Sequence, residues 1–97
     1  MEVRFADKDL DRLETDANYD GGYSHAVVRA FRRRIQQLRD AQDVRDLYAI
    51  KSFHFEKLKG KRSHQRSIKL NDQQRLILEV ETKPKNVLLL VGIEDYH

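Results

Sequence analysis

The sequence predicts an α+β domain: an N-terminal strand and two to three helices packed on one face of an antiparallel β-sheet. Three observations predict it. Residues 2–5, Glu-Val-Arg-Phe, alternate polar and apolar. Residues 8–50 then carry their apolar groups at helical spacing, and beyond residue 52 the period falls back to two. A first strand that reaches a later sheet by way of helices leaves those helices on one face. The length of 97 residues fits one domain, expected to span residues 1–97.

In the first strand Val3 and Phe5 share a face. Asp7 is placed to cap a helix containing Leu10, Leu13 and Ala17, and Gly21-Gly22 breaks the chain after it. Ser24 can cap a longer helix whose apolar residues Val27, Val28, Phe31, Ile35 and Leu38 lie on one side. Asp43 and Asp46 begin a short third helical turn that ends near Ile50, where negative charge suits the helix dipole. Phe53 and Phe55 read as one face of a strand, and Gly60 turns the chain. Ile68 and Leu70 mark the next strand. RLILEVE is apolar enough to be central, TKPKN is a hairpin loop, and VLLLVGI completes a meander.

Composition removes several functions. The chain has no cysteine, so it can form neither a disulfide nor a thiolate zinc site. No apolar run approaches the roughly 20 residues that span a bilayer. The N-terminus lacks the basic-then-apolar pattern of a signal peptide, so a cytoplasmic protein is expected. Net charge is only +3, but it is unevenly spread. Residues 1–28 hold three basic and seven acidic groups, residues 29–75 fourteen and five, and residues 76–97 two and four. A basic middle between acidic ends points towards a phosphate-bearing partner.

The adjacent glycines do not form a phosphate loop, because neither GxxxxGK[ST] nor GxGxxG is present. His25, His54, His64 and His97 have no partner at metal-ligand spacing. The His54-Phe55-Glu56 match to a deaminase motif lacks its cysteines. No metal or other cofactor is expected. What remains is a polar set on the meander: Lys57, Lys59, Arg62, Arg66, Lys69 and Arg75, with Asp95, Tyr96 and His97 at the end. An open basic sheet face with a histidine at its rim suits phosphodiester chemistry, with cations on the phosphate and histidine moving protons. Pattern alone equally allows a solvated antiparallel face.

The segments EKLKGKR and SIKLNDQQRLILEVE and the final EDYH together resemble the HigB branch of the RelE/ParE toxin superfamily. The shared pattern is L-K-G-x-R, then S-I-x-x-N-x-x-x-R, a strand, and D-Y-H. It covers roughly the last 45 residues, while the first half agrees in element order and helix length and not in motifs. The resemblance implies a RelE-like fold and a type II toxin that enters the ribosomal A site and cleaves mRNA there without a metal. In that reaction a ribose 2′-hydroxyl attacks the adjacent phosphate. It also implies a cognate HigA-like helix-turn-helix antitoxin, bound in a toxin–antitoxin hetero-oligomer.

Carried over by position, the expected catalytic residues are Lys59, Arg75, Asp95, Tyr96 and His97. Lys59 and Arg75 would hold the scissile phosphate, and His97 would serve as general acid or base. Asp95 would orient His97 or Lys59, and Tyr96 would stack on a base or bond a phosphate. Arg29, Arg32, Arg33 and Arg34 on the long helix would meet rRNA backbone. Lys57, Arg62, Arg66 and Lys69 would extend the RNA floor. The chain departs from the family twice, with Glu56 where some members have histidine and Gln74 where many have tryptophan. Glu56 would act as a base or pair with Lys59 or Arg66. Two other functions fit a relative of this superfamily: a non-enzymatic ParE-like gyrase inhibitor, and a degenerate toxin that only binds an antitoxin as co-repressor.

Overall fold

Alternation in Glu2–Phe5 gives strand β1, with Val3 buried and Phe5 packed against the core. The computed structural model describes residues 1–95. Helix α1, Lys8–Thr15, starts at Asp7, whose carboxylate accepts from the Leu10 N–H at 2.8 Å. It buries Leu10 and Leu13 but ends before Ala17, which lies outside the helix. The reason is local: the Asp16 carboxylate accepts from the Asn18 N–H at 2.9 Å, and such a turn competes with helix continuation.

Ser24 caps α2, His25–Asp40, accepting from the Val27 N–H at 3.2 Å. All five apolar residues of its predicted stripe are buried. Helix α3, Val44–Ala49, starts in a capping box formed by Asp43 and Asp46.

The next segment departs from expectation. Phe53 and Phe55 are both buried, but not on a strand. Lys51–Phe53 is a 3-10 turn, His54 follows in the left-handed region with φ 45°, and strand β2 is only Glu56–Lys57. The coil serves burial. The Arg34 guanidinium lies over the Phe53 ring at 4.9 Å and donates to the Ser52 carbonyl at 3.2 Å, pinning the turn against α2.

A second 3-10 turn, Gly60–Arg62, leads into β3, Gln65–Lys69, then β4, Gln74–Glu81, and β5, Val87–Asp95. The sheet order is β1-β5-β4-β3-β2, so β4 is central as its apolar character requires. The meander is antiparallel, but β1 joins β5 in parallel, so the sheet is mixed at one edge. A parallel neighbour needs a long crossover, which the helices between β1 and the meander supply.

Ile68 and Leu76 sit opposite one another and, with Leu78, Leu88 and Leu90, bury the face that meets the helices. The intervening residues Ser67, Arg75, Ile77 and Glu79 turn to the other face. That face is not bare. Ser67 and Ile77 are fully buried on it, although neither belongs to the core under the helices. Among the described residues no helix is long and apolar enough to cross a membrane.

Candidate nucleic-acid and catalytic site

The second sheet face carries a hollow of about 490 Å³ lined by Glu56, Lys57, Leu58, Lys59, Arg62 and Arg75. Its position follows from the chain order. Short β2 delivers Glu56 and Lys57, both exposed. Lys59 precedes Gly60, whose φ of 65° starts the 3-10 turn and returns the chain over the sheet. Arg75 enters from the start of β4, opposite Lys69 on β3 and Glu94 on β5. The sequence-predicted pair Lys59 and Arg75 therefore lines one hollow.

Arg62 lines it too, but its guanidinium is bound within the protein. It donates to both Glu94 carboxylate oxygens, at 2.8 and 2.6 Å, and its Nε donates to the Gln65 amide oxygen at 3.0 Å. Hydrogen bonding from Glu94 raises the Arg62 pKa above the ordinary arginine value, so the cation is secured. Glu94 and Gln65 were not among the residues expected from sequence. The signal that points to Glu94 is its place opposite Arg75 and immediately before Asp95.

Three more expected RNA contacts are placed differently from one another. Lys69 pairs with Asp72 at 3.1 Å, across from Arg75. Arg66 donates to the Ser63 and Gln65 carbonyls, so it is tied to its own hairpin. Lys57 remains at the rim of the hollow. Glu56 lines the same hollow, and among the described residues it pairs with neither Lys59 nor Arg66.

On α2 the arginines divide. Arg32 donates to the Leu13, Asp16 and Tyr19 carbonyls at 3.0, 3.1 and 3.4 Å, closing the end of α1 and the loop after it. Arg34 donates to the Lys69 carbonyl at 3.2 Å and to Ser52, and burial lowers its pKa. These two hold the fold through their bonds to backbone carbonyls. Arg29 and Arg33 are exposed and make no hydrogen bond or ion pair with another described residue.

Asp95 lies apart from the hollow. It sits opposite Gln74, one residue beyond Glu94, so strand alternation turns it to the other face. Its charge is felt there by Tyr23, whose pKa is raised first by burial and then by Asp7, Tyr19, Asp95 and Asp9. Tyr96 and His97, the remaining expected catalytic residues, lie outside the described residues.

Residues 3–97 match the HigB-like toxin family, described as the RelE-like toxin of the type II toxin–antitoxin system HigB. The chain belongs to the HigB-like toxin family. Among solved structures the HigB-like fold is similar to a YoeB/ParE toxin from Agrobacterium tumefaciens, with 16% identity, full coverage of both chains and a TM-score of 0.59. It is also similar to a conserved hypothetical protein from Helicobacter pylori, known from a solution structure. Identity there is 18%, coverage is 99% of this chain and 94% of the other, and the TM-score is 0.54. No curated protein matches. These likenesses establish the RelE-like α+β fold, and the family match makes this chain a type II toxin, a class that works with an antitoxin partner.

Proposed function

We propose that this HigB-like toxin is a ribosome-dependent endoribonuclease that cleaves mRNA in the A site by attack of a ribose 2′-hydroxyl on the adjacent phosphate. The observation that carries the reading is the meeting of Lys59 and Arg75 in one hollow with Lys57. Cations converging on a concave surface suit the charge that builds on a pentacovalent phosphate. Arg75 offers a planar fork and Lys59 a point charge. His97 acts as general acid to the leaving 5′-oxygen, with Tyr96 and Asp95 in the same tail. The reading requires no metal ion, because cations and proton-transfer groups supply the chemistry. Arg29 and Arg33 lie on ribosomal RNA, and a HigA-like helix-turn-helix antitoxin neutralises the toxin in the cytoplasm.

The test is expression without an antitoxin, followed by two assays on the purified protein: mRNA cleavage on programmed ribosomes and DNA supercoiling by gyrase. Cleavage with supercoiling intact supports the endonuclease. Inhibited supercoiling with intact mRNA indicates a ParE-like gyrase inhibitor. Inactivity in both, with antitoxin binding retained, indicates a co-repressor.

A further inference from the structure

We propose that Glu94 is a positioning residue: by gripping Arg62 it straps the turn after Lys59 to the strand end that leads into Asp95, Tyr96 and His97. The inference rests on the endonuclease reading and adds to it the device that sets the distance between the two phosphate-binding cations, Lys59 and Arg75.

The contact joins residues 32 apart in sequence. Arg62 closes the turn that begins at Gly60, directly after Lys59. Glu94 lies on β5, opposite Arg75. One carboxylate thus stands where three described segments approach: the Lys59 turn, the start of β4 at Arg75, and the end of β5. Arg62 reaches it by crossing β4, since its Nε is bonded to Gln65 on β3 and its two terminal nitrogens to Glu94 on β5. Gln65 is held in turn by Glu79 on β4 at 3.2 Å. The strap is therefore fixed at both ends and along its length.

Stability does not explain this arrangement. The two side chains are 41% and 39% exposed, and exposed pairs contribute little. Phosphate binding does not explain it either, because a carboxylate beside a cationic hollow repels phosphate. A bidentate fork does fix distance and plane together. Geometry is what the pair provides.

The experiment is Glu94→Gln, which keeps the side chain's shape and removes its charge. Single-turnover cleavage of A-site mRNA and ribosome affinity are measured separately. A strap predicts a cleavage rate lower by roughly 10- to 100-fold, the scale of a small misplacement of reacting groups. Ribosome affinity stays the same or tightens, because a negative charge has left an RNA-facing surface. Arg62→Lys, which loses the fork, falls similarly. The Arg62→Ala, Glu94→Ala double variant is no slower than the poorer single one, as for residues acting through one contact. Cleavage by Glu94→Gln at the wild-type rate or faster overturns the inference alone. So does strict additivity, or a loss in Arg62→Lys that appears only as weaker ribosome binding. Wild-type protein that leaves A-site mRNA intact overturns the endonuclease reading and this inference with it.

Discussion

Lys59 and Arg75 line the same hollow but offer a phosphate different things. Arg75→Lys keeps the charge and loses the planar fork, so most cleavage activity should go. Lys59→Arg should be milder than Lys59→Ala. Groups acting on one transition state are non-additive, so the double Ala variant should be barely slower than the poorer single one. Single-turnover cleavage, with ribosome binding checked apart, reads all three outcomes, and additive losses would leave two independent surface charges. Removing His97 should abolish growth arrest while thermal unfolding stays unchanged; equal toxicity would remove His97 from the mechanism. The meeting of Lys59 with Arg75 was legible in sequence, because motif and strand pattern together point them to one sheet face. The division among the arginines was not. Arg29 and Arg32 look alike in a helical pattern, yet Arg32 spans to three carbonyls of the α1 end. A long side chain finds its partner in three dimensions, and periodicity does not report that partner.

Caps and turns carry the elements, and they are the most legible part of the fold. Asp7 and Ser24 cap the helices expected of them, and Asp43, expected only as a charge suited to the helix dipole, also caps its helix. Ser24→Ala should cost about 1 kcal/mol. In a domain of this size that lowers Tm by roughly 4–8 °C, measured by thermal unfolding. Gly60 has φ 65°, so Gly60→Ala strains the turn by about 1–2 kcal/mol and displaces Lys59 and Arg62 together. Its cleavage rate should fall further than its stability alone accounts for, judged against Ser24→Ala at equal destabilisation. Element ends also set the acid limit. Glu2 is held low chiefly by Lys85, Asp16 by the Asn18 N–H, and Asp43 by Arg45. Folded carboxylates of lowered pKa contribute stability that is complete above their ordinary values of 4.5 and 3.8. That contribution disappears as pH falls through the lowered values. The urea midpoint should therefore be flat from neutrality to near 5 and drop only below about 4. A fall beginning near 6 would overturn the assignment to these carboxylates. The Phe53–Phe55 segment marks where element reading fails. Two aromatics two apart match a strand, yet the same burial is reached by a 3-10 turn and a left-handed His54 once Arg34 covers the Phe53 ring.

At the scale of the whole molecule, charge and fold are matched. The first 28 residues are net acidic and build β1, α1 and the loop into α2, whereas the basic middle builds the rest of α2 and the hollow across the sheet. The topology was readable as a strand, helices and a meander. The parallel seating of β1 on β5 was left open, because only the crossover fixes which edge receives the first strand. Segregated charge yields a prediction that separates binding from folding. Each phosphate contact releases counterions, and losing one flattens the plot of log affinity against log salt by about 0.7–0.9. Arg29 and Arg33 are exposed and make no hydrogen bond or ion pair with another described residue. Replacing both by Ala should therefore flatten the slope for ribosome binding by roughly 1.4–1.8 at unchanged Tm. Arg32→Ala removes one formal charge from the same helix, but it takes from three carbonyls a bond that closes the α1 end. It should lower stability by about 1–3 kcal/mol and leave the slope of the remaining folded protein nearly unchanged. Ribosome binding titrated from low to physiological salt, with thermal unfolding on the same samples, tests both arms. Equal slopes for the wild type and the Arg29, Arg33 double variant would take the α2 arginines off the RNA and leave the hollow as the sole contact proposed for phosphate.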